Sequence, residues 1–340
     1  MELKHALEQL LDRQELHEEQ MISVMQQLMS GQATQAQIGA ILTALRMKGE
    51  TLAEVTSAVK VMRSLATPVV LEDTSKLVDT CGTGGDGANT FNISTACAFV
   101  VASAGGGVAK HGNRSISSKS GSADVLEVAG VNLALTPEQV AECIHETGVG
   151  FMFAQSHHGA MKHVIGARKE MGVRTIFNLL GPLTNPAGAP FQVVGVYHKS
   201  LTTLFAKVLQ QLGSKHVMVV HAEDGLDEIS IASKTTVAEL KEGDIHYWEI
   251  DPYDLDMDHV NLADLSVDSA QDSLNIIRSV FANNDSAAKD IVCLNSGAAM
   301  YVAGLASTYE EGVTLARTVI AKGLAQKKFN EFILKTQSFL

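Results

Sequence analysis

The chain predicts an α/β fold: a mostly parallel central sheet flanked by helices, with a smaller all-helical domain at its N-terminus. Three observations carry that expectation. Residues 1–70 place apolar side chains at helical spacing. From about residue 76 onward, short apolar runs alternate with helix-like segments, the pattern of successive strand–helix units. Between one such run and the next helix lies GTGGDG at 82–87, a turn whose glycines can direct backbone N–H groups toward one point.

In the N-terminal part, Leu3, Ala6, Leu7 and Leu10 share one helix face, and Met21, Val24, Met25 and Leu28 repeat the spacing. Gly31 breaks the pattern. Thr34 can cap a helix with apolar positions Ile38, Ile41, Leu42 and Leu45, which Gly49 ends. Thr51 with Glu54 forms a capping box for a further helix that stops before Pro68. Short helices in so small a unit leave apolar surface uncovered, so this part is expected to pack on the rest of the chain or on a second subunit.

Farther on, residues 77–80 read as a strand, 94–105 as a helix, 108–110 as a short strand and 122–130 as a helix. Thr136-Pro137 opens the next helix with proline at its first position. A strand is expected at 150–154 and a helix at 158–171, closed by Gly172. Strands at 191–197 and 216–221 flank a helix at 200–212. Residues 229–250 look like strands and turns of antiparallel kind, and the chain is helical after Leu265.

Composition narrows the class. With 340 residues, 46% of them hydrophobic, the chain has ample material for a core. A formal net charge of -12 argues against a general nucleic-acid binder. Cys81, Cys97, Cys143 and Cys293 form no C-x-x-C pair, so neither a zinc knuckle nor a disulfide framework is indicated, and a cytoplasmic location is expected. The N-terminal MELKHALEQLLDRQEL is charged and amphipathic, unlike a signal peptide. No apolar run is long and unbroken enough to cross a bilayer, so no membrane association is expected.

The chemistry is expected around 77–124. Between Gly87 and Asp124 there is no acidic residue, yet Lys110, Arg114 and Lys119 occur there, with His111 beside them. In an acidic chain such a window suggests a place kept for an anion. The helix expected behind the glycine turn adds unpaired N–H donors and a favourable dipole. Gly82, Gly84 and Gly87 formally satisfy the dinucleotide fingerprint, but the turn does not open directly into a helix and the acid for the ribose is missing. The Walker pattern fails for want of a closing Gly-Lys-Ser/Thr. A plain tight turn stays open as an alternative, although it leaves the second, basic loop unexplained. Ligands collect at the C-terminal ends of parallel strands, so the loops after Thr80 and after Lys110 can serve one pocket. Glycines around a pyrophosphate, with Lys110 as counter-charge, fit a phosphorylated sugar donor.

AEDGLDE at 222–228 follows the strand-like HVMVVH. Paired carboxylates at a strand end suit Mg2+, a hard ion that takes oxygen ligands and keeps waters, and a solvated acidic turn is the alternative. His111 looks like a pocket residue. His157 and His158 precede a helix, where one of them can simply cap or pack. Arg168 is expected on that helix, with a surface ion pair to Glu170 as the bland alternative.

These stretches also carry a family likeness. DTCGTGGDG at 79–87, NIST at 92–95 and KHGNRS…KSGSAD at 110–124 resemble the anthranilate phosphoribosyltransferases, which belong to the nucleoside phosphorylase-like phosphoribosyltransferases. The resemblance continues through RTIFNLLGPLTNP at 174–186 and DGLDE at 224–228, so it spans nearly the whole chain. It implies transfer of the phosphoribosyl group of 5-phosphoribosyl 1-pyrophosphate to anthranilate, with release of pyrophosphate, in tryptophan biosynthesis. It implies that the donor contacts Gly82, Thr83, Gly85, Asp86, Thr90, Asn92, Ser94, Thr95, Lys110 and Ser122. Asn92 and Ser94 could fill helix N-cap roles as well.

By the same resemblance, Gly82, His111, Asn113, His158, Arg168 and Pro182 line the anthranilate site. The Arg168 fork would meet the carboxylate, while Gly181 and Pro182 can be only turn residues. Mg2+ is implied at Asp227 and Glu228 with Ser94. A homodimer through the helical domain is implied, as is the completion of domain 1–70 by about 172–188. That leaves 75–171 and 189–340 as the donor-binding domain. No strong general base is assigned, because an aryl amine is already a nucleophile, and Lys110, Asn113 and Arg168 are expected to position the reactants. No fused amidotransferase domain is expected. Two other classes stay open. The pyrimidine nucleoside phosphorylases share the architecture and a KH…KSGS-like loop but differ at GTGGDG. A non-enzymatic nucleic-acid-binding relative would be expected to carry a basic surface stripe.

Overall fold

The computed structural model describes residues 1–115, 119–257 and 259–340. The backbone divides into two compact units, Met1–Pro68 with Gln155–Pro186, and Val69–Ala154 with Ala187–Leu340.

The first unit is helical. It opens with α1 (Leu3–Leu11), α2 (Glu18–Met29), α3 (Gln35–Lys48) and α4 (Leu52–Leu65). Thr34 and Thr51 each accept the N–H of the residue three positions on, and Gln37 and Glu54 answer with their side chains; the capping box is expected at Thr51, whereas at Thr34 it extends the cap the sequence predicts. Met21, Val24, Met25, Leu28, Ile38, Ile41, Leu42 and Leu45 are buried, so the periodic apolar faces form the core. Glu54 lies within it at 0% exposure. Its carboxylate accepts the N–H of Leu16 at 2.9 Å, the N–H of Thr51 at 2.9 Å and the Lys48 ammonium at 2.8 Å.

The unit is completed by α8 (Ala154–His157), a 3-10 turn over Gly159–His163, α9 (Ile165–Met171) and α10 (Phe177–Leu180). The single helix expected at 158–171 is therefore broken. His158 leaves helical geometry at φ -115 and ψ 56. The segment follows its neighbours instead: His157 Nδ1 meets Thr67 O at 2.9 Å, and Gln35 holds both His163 O and the Ala167 N–H. Gly31 seats the His163 ring, since a Cβ there would lie 2.7 Å from its Nδ1. Arg46 and Arg63 then hold the carbonyls of Arg174 and Leu183. The returning stretch begins at Gln155, ahead of the expected 172–188, because these short turns are bonded to α3 and to Thr67.

The second unit holds the sheet. Its elements are β1 (Leu77–Gly82), α5 (Ile93–Ser103), β2 (Gly107–Gly112), α6 (Ser122–Val128), α7 (Pro137–Thr147), β3 (Val149–Phe153), β4 (Phe191–Gly195), α11 (Leu201–Gln211), β5 (His216–Ala222), β6 (Thr235–Lys241) and β7 (Asp244–Ile250). Helices α12 (Ala270–Phe281), α13 (Ala287–Val302), α14 (Tyr309–Ala321) and α15 (Leu324–Gln337) close the chain. Among the described residues the sheet has seven strands in the order β3-β2-β1-β4-β5-β6-β7. It is parallel from β3 to β5 and antiparallel from β5 to β7, as the two sequence patterns predict.

Helix α5 is apolar all round, which suits a helix covered on every side. Its Phe99 ring packs edge-on against Phe281 and Phe329 of the closing helices. Gly82 of β1 pairs with Gly195 of β4, and Gly195 with Val220 of β5, so three parallel strands finish close to one level.

Candidate active site

The glycine-rich turn leaves β1 at that level. Gly84 and Gly85 take φ of 64° and 77°, the left-handed region that glycine enters without a Cβ penalty. Thr83 ties the turn to β4: its N–H donates to Gly195 O at 2.9 Å, and its hydroxyl accepts the Tyr197 N–H at 3.0 Å. The Gly84 N–H donates to Asp227 Oδ2 at 2.7 Å. Asp86 closes the turn by accepting the Ala88 N–H at 3.1 Å. Thr90 bridges to Ser266, beside the bond from Phe91 N–H to Leu265 O.

Asp227 and Glu228 enter from the loop after β5. Burial pushes the Asp227 carboxyl up to about 7, Asp86 adds to the shift, and the Gly84 N–H pulls the other way. Burial and then Asp227 push Glu228 up to about 8, against the pull of Lys110. Lys110 is only 3% exposed. Its ammonium donates to Thr80 O at 2.5 Å and to Ser94 Oγ at 3.0 Å. Three carboxylates thus crowd a space served by one lysine that is already engaged. Among the described residues no group of three His, Cys, Asp or Glu side chains is arranged to hold a metal ion alone. The surplus of negative charge, with two carboxyls held toward protonation, nevertheless fits a hard cation that would complete its shell with water or donor oxygens.

Helix α5 points its N-terminus at this space, with no acidic residue in its first turn. The Ser94 N–H donates to the Glu228 carboxylate. Thr95 Oγ1 is buried and has no partner among the described residues. Neither Asn92 nor Ser94 acts as a side-chain cap. Asn92 occupies the N-cap position but makes no capping bond, and Ser94 lies inside the helix. The Asn92 amide serves another purpose. Its Oδ1 accepts the hydroxyls of Ser120 at 2.8 Å and Ser273 at 2.7 Å, and its Nδ2 donates to Ser120 O at 3.2 Å. It therefore joins the α5 N-terminus to the second loop and to α12.

The acid-free window of the sequence does not stay acid-free in space. The Arg114 fork takes both oxygens of Glu127 at 2.7 Å, and Asp124 at 3.2 Å. Lys110 stands beside Glu228. Acids from outside the window thus meet two of its basic residues, while Lys119 is exposed. Asp124 also holds the two stems of the second loop, accepting the N–H groups of Ser115 and Gly121 at 2.9 Å each. Asn113 O accepts the Ala123 N–H and the Ser122 hydroxyl. His111 is buried at the end of β2.

His158, Arg168 and Pro182 belong to the helical unit. Burial, reinforced by His157, lowers His158 to about 4, so its imidazole is neutral at pH 7. His157 has the packing role that sequence left open for one of the pair. Arg168 lies over the Phe177 ring at 5.3 Å. Among the described residues no carboxylate pairs with it, so the ion pair with Glu170 does not form. Burial alone lowers its pKa. Pro182 is buried in a 3-10 turn over Gly181–Leu183.

Sequence reading misses Ser273, Ser120 and Gly195. The serines carry no motif, and only their bonds to Asn92 reveal them. Gly195 ends an ordinary strand, and only the space around it marks it.

Two family profiles match the chain: the glycosyl transferase family helical bundle domain over residues 4–66, and the glycosyl transferase family a/b domain over residues 74–326. The anthranilate phosphoribosyltransferase of Hydrogenovibrio crunogenus is 69% identical over 339 residues, covering 100% of both chains. That of Cellvibrio japonicus is 58% identical over 341 residues, covering 99% of each. The crystal structure of the Thermus thermophilus enzyme matches with a TM-score of 0.92 at 38% identity, over 98% of this chain and 99% of that one. The Saccharomyces cerevisiae enzyme in complex with PRPP and Mg matches with a TM-score of 0.90 at 25% identity, over 99% of this chain and 98% of that one.

Proposed function

The chain belongs to the anthranilate phosphoribosyltransferases, and on that premise we propose which of its residues do each part of the work. The enzyme transfers the phosphoribosyl group from 5-phosphoribosyl 1-pyrophosphate to anthranilate in tryptophan biosynthesis. The bond from ribose C1 to the pyrophosphate oxygen breaks, the bond from the anthranilate nitrogen to C1 forms, and the amine gives up a proton.

The observation that supports the donor site is the meeting of the glycine turn, the α5 N-terminus and three carboxylates at the level ends of β1, β4 and β5. The pyrophosphate is assigned to the turn and to the N-terminal end of α5, where the helix dipole favours an anion. Gly82, Thr83, Gly85, Asp86, Thr90, Asn92, Ser94, Thr95 and Ser122 form this donor set. Thr95 brings a buried hydroxyl that lacks a protein partner among the described residues. Lys110 acts from beneath, holding Ser94 and offsetting Glu228. Asp227, Glu228 and the Ser94 hydroxyl would hold Mg2+, which when bound offsets the charge of the pyrophosphate.

Anthranilate is assigned to Gly82, His111, Asn113, His158, Arg168 and Pro182. His158 serves as a neutral imidazole, and Arg168 meets the carboxylate with a guanidinium that no described acid occupies. Positioning and electrostatic stabilisation supply the rate, with no general base. Homodimerisation through the helical domain and a cytoplasmic location complete the reading. The location fits cysteines that form no disulfide among the described residues, and no helix is long and apolar enough to cross a membrane.

The test is the loss of anthranilate fluorescence with purified protein, 5-phosphoribosyl 1-pyrophosphate and Mg2+. Loss that needs all three is expected, and full turnover under a chelator would sink the metal assignment. Arg168→Ala is expected to raise the anthranilate KM; a change confined to the donor KM would show that Arg168 is misassigned.

A further inference from the structure

We propose that Gly195 is a positioning residue that sets the spacing between the glycine-rich turn and the acidic loop. The inference rests on reading Asp227 and Glu228 as the cation-holding pair. Gly84 and Gly195 are glycines for different reasons. Gly84 needs its left-handed φ, and a Cβ there would meet nothing within 4 Å. Gly195 is not among the glycines with positive φ, so its backbone conformation admits any residue. Space forbids one: a Cβ at 195 would lie 1.5 Å from Asp227 O, 2.5 Å from its carbonyl carbon and 3.3 Å from its Cα. All three are backbone atoms, which cannot rotate aside as a side chain can.

The acidic loop is pinned on its other sides. The Ala222 N–H donates to Leu226 O at 3.1 Å. Buried Asn295 accepts the Ile229 N–H and donates to Ile229 O, each at 2.9 Å. A methyl at 195 would therefore displace Asp227 itself rather than slide the whole loop, by roughly 1–2 Å if ordinary contact distances are restored. On the turn's side, Gly195 O accepts the Thr83 N–H at 2.9 Å. One residue without a side chain thus touches both halves of the donor site. It fixes the reach from the Gly84 N–H to the Asp227 carboxylate.

The experiment compares wild type, Gly195→Ala, Gly82→Ala and the double variant Asp227→Asn/Glu228→Gln. The readouts are the Mg2+ concentration for half-maximal turnover, the KM of each substrate, and the rise in melting temperature on adding Mg2+ with 5-phosphoribosyl 1-pyrophosphate. For Gly195→Ala, kcat/KM for the donor falls about 100-fold, the effect of roughly 1 Å of misplacement. Its Mg2+ requirement rises at least about tenfold, the ligand-induced rise in melting temperature is lost, and the anthranilate KM stays within about twofold. An unchanged Mg2+ requirement, or an equal loss in every parameter with a lowered unliganded melting temperature, overturns the proposal. If Gly195→Ala does not fold, Gly82→Ala decides. A Cβ at 82 meets the Asp227 carboxylate Oδ2 at 2.5 Å, so the thermal response to Mg2+ must weaken, and an unaltered response overturns the proposal. If the double variant loses its metal response while Gly195→Ala keeps it, the spacing role fails and the cation pair stands. If the double variant keeps its metal response, the cation reading fails and takes the spacing role with it.

Discussion

Glu54 of the helical unit and Glu228 of the α/β unit are both glutamates drawn back from water with a lysine at hand, yet their surroundings are opposite. Each Glu54 oxygen is satisfied: one by Leu16 N–H, the other by Thr51 N–H and by Lys48, itself only 6% exposed. Charge and hydrogen-bond capacity balance, so nothing further is called for. Glu228 shares its space with Asp227 and Asp86, and the lysine beside it spends its protons on Thr80 O and Ser94 Oγ. There the charges do not balance. A closed pair stabilises the fold, whereas a cluster left in surplus invites a cation.

The comparison predicts that the two sites fail in different ways. Asp227→Asn/Glu228→Gln is expected to lower turnover about 10³-fold while leaving stability intact, because its role lies in the reacting complex. Equal turnover at ordinary Mg2+ would break the comparison. Glu54→Gln should do the reverse. Leaving Lys48 buried without its partner costs about 3 kcal/mol of stability, read as a lower denaturation midpoint, with activity per folded molecule unchanged.

A third test sharpens the helical side through pH. The folded pKa of His158 is about 4 against an ordinary 6.5. Between those values the unfolded chain binds more protons, so its contribution to stability is present above pH 6.5 and is lost as pH falls toward 4. Chemical denaturation at pH 7 and pH 5 should differ by about 1–2 kcal/mol more in wild type than in His158→Gln. Equal pH slopes would show that His158 is not held neutral by the fold. The smallest effect is expected from Ser273→Ala. Removing one hydroxyl from Asn92 should cost about 1 kcal/mol, seen as a donor KM raised about threefold to fivefold. A rise in the anthranilate KM alone would place Asn92 elsewhere.

Much of this is legible in the sequence. The cap at Thr34, the capping box of Thr51 with Glu54, the proline opening α7 and the parallel-then-antiparallel strand pattern all read directly from the residues. The 158–171 stretch misled because His163 and Ala167 bond to Gln35, and His157 just before it to Thr67. The basic window misled because Glu127, which neutralises Arg114, lies just beyond it.

By itself the sequence determined the elements and the identity of the turn, since capping, periodicity and left-handed glycines are properties of residues within a few positions of one another. Tertiary structure alone decided which charges meet. The Gly84–Asp227 bond joins residues 143 apart in sequence, and the Asn92–Ser273 bonds join residues 181 apart. No local propensity encodes such pairs. Sheet register and the missing side chain at Gly195 bring the acidic loop against the glycine turn, and that closeness leaves its carboxylates in surplus.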